Sequence, residues 1–301
     1  MSRRFESCWG WLLVAVCAPL LASAAPAAPP PLAPSPAAPV SADRSAQRAQ
    51  FLLAYAAAKL GGSAWRTLAS GLADYPLYPY LEAAALSHDL AHADGKAVEA
   101  YIARYPGLIP ARDLRRDYLH RLAGAAQWDD FRRLYRPDLG LALACRDLQA
   151  RLATGQTLDF ARDYSTLWKA DDWPAACKPA LEWARDHQLL TRQRLWQRVE
   201  RLASEGSASA IEDTARWMRT TDAAVAKRIA LARRSPMTAL RHASGWKSDA
   251  HTRLAVALAL QRLARQDEQA AQRNWDKLQP RFTFTPTQNH AIQAAIALYA
   301  A

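Results

Sequence analysis

The chain has 301 residues, 22% of them charged, and its 39 Lys and Arg outnumber 28 Asp and Glu to give a formal net charge of +11. That length is ample for a substantial core, and the basic balance favours anionic partners. Valine and isoleucine together number only thirteen, which excludes a strand-rich fold, because β-branched residues are the natural material of sheets.

At the start of the chain, Arg3 and Arg4 precede an apolar run from Trp9 to Leu21 and then Ala22-Ser23-Ala24. This is the order of a basic region, a hydrophobic segment and a small-residue cleavage site, so residues 1–24 are predicted to be a secretory signal peptide. The run falls short of the roughly 20 apolar residues a spanning helix needs. Cys17 follows the bulky Val16, which argues against lipoprotein processing. Residues 25–42, "APAAPPPLAPSPAAPVSA", hold seven of the 18 prolines and no charge. They read as a Pro/Ala-rich linker with a polyproline tendency. Beyond it no run is apolar for long enough to cross a bilayer, Leu254–Leu260 being the best, so no integral membrane segment is expected once the leader is removed. Export sets nucleic acid aside as the anionic partner and points to the cell wall, whose stem peptides carry carboxylates. The arginine excess, 32 against 7 lysines, is also compatible with genomic base composition alone.

From residue 43 onward the pattern is helical. The segment "DYPLYPYLE" (74–82) places Pro76 after Tyr75, which favours an extended connector, and Pro79 just ahead of "YLEAAALSHDLAH", where the first turn of a helix tolerates it. Tyr75, Tyr78 and Tyr80 are expected to plug the junction between helices, with sugar stacking as the sharper alternative. Leu114, Tyr118 and Leu122 recur at spacing four among arginines; Leu195, Val199 and Leu202 repeat the pattern behind Thr191 as a candidate N-cap. Starts near Asp94, Gln127, Gln156, Leu190, Asp222 and Asp249 define units of about 31 residues, each predicted to hold two helices. The fold class is therefore all-α, an irregular superhelix of stacked helical hairpins. With Cys8 and Cys17 in the leader, Cys145 and Cys177 remain. They lie 32 residues apart, in nearly equivalent places of adjacent units, and in an oxidising compartment an isolated pair is expected to form a disulfide.

Chemistry is harder to find. Gly95-Lys96 lacks the rest of a phosphate-binding loop, and no G-x-S-x-G or Cys/His nucleophile pair occurs. His88 and His92 share a helix face without an evident third ligand, so no metal site is expected, and no cofactor is implied. Glycan cleavage needs a carboxylic acid held at raised pKa in a cleft. Glu82, Glu99, Glu182, Glu200 and Glu268 all read as solvated helix faces. Trp128, Trp168, Trp183, Trp196 and Trp217 read as core packing, with one or two free to line a groove.

"DYPLYPYLEAAAL" (74–86), "YPGLIPARDLRRDYLHRLAGAAQWDDFRRLY" (105–135), the cysteine pair and "LARQDEQAA" (263–271) together resemble the N-terminal superhelical domain of the soluble lytic murein transglycosylases. The resemblance spans residues 43–301. It implies a U-shaped helical superhelix in the bacterial periplasm, carrying a C-terminal lysozyme-like domain. That domain cleaves the β-1,4 bond between N-acetylmuramic acid and N-acetylglucosamine with a single glutamate, leaving a 1,6-anhydro end. The glutamate-serine motif of that domain is not matched: in Gln266-Asp267-Glu268, Gln269 stands where serine should, so no catalytic residue is transferred. The expected reading is a scaffold portion that binds or positions peptidoglycan strands and is truncated before the catalytic half, since "HAIQAAIALYAA" stops inside a helical pattern. The alternative is an independent exported helical-repeat adaptor that recruits cell-wall synthesis proteins.

Overall fold

The computed structural model describes residues 42–300, and the signal peptide, the linker up to residue 41, Cys8 and Cys17 lie outside the described residues. The chain divides into residues 1–48 and residues 49–301. Of the first, only the opening of α1 (Ala42–Leu60) is described. Among the described residues there are seventeen α-helices, three single 3₁₀ turns and no strand.

The larger unit begins with the remainder of α1, the short α2 (Ala64–Leu68) and α3 (Tyr78–His88). Pro79 stands in the first turn of α3, as its missing amide hydrogen allows. Tyr75, Tyr78 and Tyr80 pack against a cluster of Phe51, Trp65, Leu72 and Leu81, and the Tyr75 ring lies 5.3 Å from that of Phe51. The Tyr-Pro segment is thus a junction plug.

Helical hairpins follow. The first pairs α4 (Gly95–Arg104) with α5 (Ile109–Gly124), and the second α6 (Trp128–Leu134) with α7 (Leu141–Ala153). Asp94 caps α4 by accepting from Lys96 N at 3.0 Å. Further on, α11 (Arg192–Ser204) pairs with α12 (Ala208–Ala215), α13 (Thr220–Arg234) with α14 (Pro236–Ala243), and α15 (Ala250–Ala264) with α16 (Glu268–Leu278); α17 (Pro286–Tyr299) closes against α15. Thr191 caps α11 and Asp249 caps α15, through bonds from Arg194 N at 3.3 Å and Thr252 N at 2.9 Å. Such caps satisfy amide groups that the first turn leaves without partners.

The unit from residue 156 to 189 departs from the expected two helices. It breaks into α8 (Phe160–Asp163), α9 (Ser165–Lys169), a 3₁₀ turn and α10 (Lys178–Asp186). The reason is visible in where its carbonyls go. After Lys169 the backbone extends, Pro174 has no amide hydrogen to continue a helix, and the carbonyls of Trp168, Ala170 and Asp171 accept from Arg198 at 2.7, 2.7 and 2.6 Å. Arg198 is the largest of the fully buried side chains, 2% exposed, and its Nε also donates to Thr214 Oγ1 at 3.1 Å. Burial and the neighbouring Arg201 push its pKa down to about 10, so it stays a cation at neutral pH.

The same device recurs along the unit. Arg121 donates to Leu90 O at 3.1 Å and Ala93 O at 3.2 Å, Arg262 to Arg233 O at 2.9 Å, and Arg233 and Arg281 to Ala203 O and Ser244 O. Ala93 lies in the connector ahead of α4, and the other acceptors sit at or just past the end of a helix about one repeat earlier. The last carbonyls of a helix lack intrahelical partners, and the forked guanidinium reaches several at once. Part of the arginine excess therefore serves the architecture.

Between the second and third units, Cys145 of α7 is bonded to Cys177, with Cα atoms 4.8 Å apart. Both are buried in a cluster with Tyr164, Leu167 and Leu181. Closing a loop of this size is worth about 3–4 kcal/mol in the chain-entropy picture.

Two stability changes are expected. Arg198→Met should cost about 3 kcal/mol or more in urea denaturation, since it leaves several buried carbonyls without donors. The Cys145→Ser, Cys177→Ser double variant should lose about 3 kcal/mol, and non-reducing mass spectrometry should find the wild-type thiols joined.

Candidate functional site

The five glutamates named from the sequence are scattered over the structure. Glu99 is held by Arg133, whose Nη2 donates to Oε1 at 2.9 Å. Glu182 pairs with Lys178 at 3.6 Å, and Glu200 with His251 at 3.4 Å. Glu268 opens α16, with Gln269 after it, in the first turn of a scaffold helix. These four fit helix faces that meet solvent or an ion-pair partner. Glu82 is also ion-paired, with Oε1 3.7 Å from Arg104 Nη1, but its side chain is only 25% exposed and Oε2 is shut off from solvent without a hydrogen-bond partner. It lines an open groove of about 490 Å³ at the junction of α2, α3 and α4.

The carboxyl group that burial does raise was not among the candidates. Asp147, half-buried on α7, is pushed above the usual carboxylate range by desolvation, against the opposing pull of Arg151 and Arg132. Its neighbour Tyr135 is pushed up to about 12, by burial first and by Asp147 second. Nothing in the sequence around Asp147 marks it, because its burial depends on how α7 packs against its neighbours. Asp163 is the converse case. Arg162, Arg151 and the amide of Asp159 hold its carboxyl well below the ordinary range, a structural anchor at the start of α8.

The histidines do not converge. His92 Nδ1 pairs with Asp89 at 2.7 Å, while the His88 ring lies against Gly61, whose positive φ of 89° turns the chain after α1. A Cβ on Gly61 would come within 2.2 Å of that ring. Among the described residues no three His, Cys, Asp or Glu side chains stand close enough to hold a metal ion.

The tryptophans divide. Trp128 stands edge-on to Phe131, Trp196 is 5% exposed beneath a stacked His251 ring 3.5 Å away, and Trp183 stacks on His187 at 3.9 Å. Trp168 belongs to an aromatic run with Phe160 and Trp173. Trp217, by contrast, lines an open groove of about 460 Å³ together with Trp173, Leu181, Lys178, Arg185 and Arg216.

That groove has the most site-like construction. Its wall at Trp173 is fixed from behind: the Arg198 guanidinium lies 3.9 Å from the ring centroid, and the indole N–H donates to Leu167 O at 2.9 Å. The chain then passes through Pro174 to Cys177, tethered to α7 by the disulfide. A buried cation and a covalent bridge thus set the position of one aromatic wall. Around it, Lys178 is balanced by Glu182 at 3.6 Å and Arg216 by Asp213 at 3.3 Å. An aromatic floor with a small charged rim suits a ligand with flat apolar faces and polar edges, such as a sugar ring. Trp217 was named in the sequence; Trp173 and its Arg198 support were not, since no local pattern links residues 25 positions apart.

No family profile matches the sequence. Over 203 residues the chain is 27% identical to the soluble lytic murein transglycosylase of Escherichia coli strain K12, a match covering 67% of this chain and 32% of that protein. It is 34% identical over 109 residues to the Salmonella typhimurium protein of the same name, 36% of this chain and 17% of the relative. The structure of an inactive mutant of the lytic transglycosylase Slt from Pseudomonas aeruginosa matches with a TM-score of 0.64 at 28% identity, over 83% of this chain and 41% of that one. The 70-kDa soluble lytic transglycosylase in complex with bulgecin A matches with a TM-score of 0.69 at 23% identity, over 85% and 42% of the two chains, and speaks for the fold alone. The chain spans about a third of the length of the curated relatives it matches. Its resemblance to the soluble lytic murein transglycosylases holds in sequence and in fold.

The raised Asp147 offers a test by pH. Its charged form is disfavoured in the folded state, so Asp147→Asn should raise the melting temperature at pH 7. The gain should shrink as pH falls through the folded pKa and vanish below the unfolded value of about 3.9.

Proposed function

We propose that this chain is the helical scaffold portion of a periplasmic peptidoglycan lytic transglycosylase, with residues 1–24 as its export signal and residues 43–301 as the superhelical domain. Its role is to bind and position glycan strands for a parent enzyme that cleaves between N-acetylmuramic acid and N-acetylglucosamine with 1,6-anhydro products. The match to murein transglycosylases over most of this chain but only a third of theirs carries this reading. The Trp173–Trp217 groove supports it as a place where a glycan ring could stack. No bond-breaking residue is assigned: Glu182 lines the Trp173–Trp217 groove but pairs there with Lys178, Glu99, Glu200 and Glu268 line neither groove, and Asp147 lines neither the Trp173–Trp217 groove nor the groove beside Glu82.

Peptidoglycan sacculi provide the test. Purified protein is expected to sediment with sacculi at low ionic strength and to be released progressively as salt screens exposed charge. Trp217→Ala should reduce the fraction retained at high salt, where stacking outlasts charge attraction. No anhydro-muropeptides should appear in the supernatant. Failure to sediment at any salt concentration, or release of anhydro-muropeptides, would overturn the proposal.

A further inference from the structure

The carboxyl ends of α11, α13 and α15 border a third groove, of about 380 Å³. Arg233, Arg262, Arg265 and Gln261 line it, and Leu254 and Leu258, both half-buried, form its apolar wall. All but Arg233 lie on one face of α15 and its last turn, because they recur at spacings of three and four. The groove is thus apolar toward the middle of that helix and cationic toward its end. No carboxylate among the described residues lines it.

Arginines close by find acids: Arg201 pairs with Asp171 at 2.9 Å, and Arg234 pairs with Glu212. The three in the groove make no ion pair among the described residues. Arg233 and Arg262 each give one nitrogen to a carbonyl, Ala203 O and Arg233 O respectively. The two terminal nitrogens of Arg262 have no partner and are not shut off from solvent, so a ligand in the groove can reach them. Arg265 is exposed, one turn further along the same face. Arg233 registers the crowding, since burial first and the Arg262 charge second hold its pKa below the ordinary arginine value. The acid that opposes this is Asp171, which Arg201 already engages.

Three helix ends bring partial negative charge of roughly half a unit each. Against three guanidiniums that leaves a positive surplus of roughly one and a half units, which a single carboxylate would not neutralise and a dianion would. We propose that this groove binds a doubly charged oxyanion on a short apolar body, a phosphate monoester or a vicinal dicarboxylate, with its oxygens at Arg262 and Arg265 and its body along Leu254 and Leu258. Guanidinium forks suit phosphate and carboxylate oxygens alike, the Gln261 amide adds a donor, and Arg233 strengthens the field from across the groove. The inference does not depend on the murein reading.

Isothermal titration of the full chain with butyl phosphate, propylsuccinate and pentanoate, at constant ionic strength and about pH 8 where the phosphate monoester is doubly ionised, tests the assignment. At least one alkyl dianion should bind saturably, and the tighter of the two identifies the headgroup. Pentanoate, with one charge, should bind at least about tenfold more weakly, the size expected when a charged hydrogen bond is lost. The same head without its chain, inorganic phosphate or succinate, should bind at least about fourfold more weakly, the worth of one buried methylene. Arg265→Gln should weaken the dianion at least about tenfold. Lys247→Gln removes the same charge from an exposed position ahead of α15, about 20 Å away along the helix, and should leave affinity unchanged. Circular dichroism spectra should be unchanged in both variants. Absence of saturable binding of either alkyl dianion up to millimolar concentrations, equal affinity for pentanoate or for the chainless head, or equal losses in the two variants would overturn the proposal.

Discussion

A helix that ends in a packed interior leaves its last carbonyls facing nothing, and in this fold the answer is repeatedly an arginine from the following repeat. Arg198 is the fullest instance: nearly solvent-free, it takes the carbonyls of Trp168, Ala170 and Asp171 and the hydroxyl of Thr214. One ammonium could not serve four acceptors in those directions, whereas a planar guanidinium with five N–H groups can. The cost of burying the charge is met by charge-assisted bonds, with added attraction from Asp171, Asp172 and Asp213. This interaction also explains why the third unit loses its hairpin, since carbonyls given to Arg198 are not available to prolong α9.

The same constraint connects fold to candidate site. Trp173 stands where it does because Arg198 lies against one face of its ring and Cys177 is bridged to α7 a few residues later. A groove wall made from an irregular segment would ordinarily be adaptable. Here it is clamped from two sides, so its aromatic surface is presented in one position, which is what recognition of a flat ligand requires.

Much of the architecture could be read from residue order. Spacing-four apolar residues located α5 and α11, and the cap Thr191 fixed a helix start, because a cap is a local interaction between a side chain and an amide two or three residues on. The starts of successive units and the position of Pro79 came from similarly local rules. The cysteine pair was legible because it recurs at the repeat distance. The failures share one cause. The break in the 156–189 unit, the groove-facing Glu82 and the raised Asp147 all depend on contacts between units. Backbone carbonyls, which decide where the arginines go, are common to every residue and leave no trace in a sequence.

The arginine-to-carbonyl bonds that span a repeat all run the same way, with donors at 121, 198, 233, 262 and 281 serving acceptors earlier in the chain. The array therefore has a polarity. Deleting a unit from its amino side strips acceptors from a guanidinium, which water can hydrate. Deleting one from its carboxyl side strands helix-end carbonyls that exchange a charged, forked donor for water. Shortening the protein from its two ends should thus be unequal in effect, the remaining stack tolerating erosion at its amino end better than erosion at its carboxyl end.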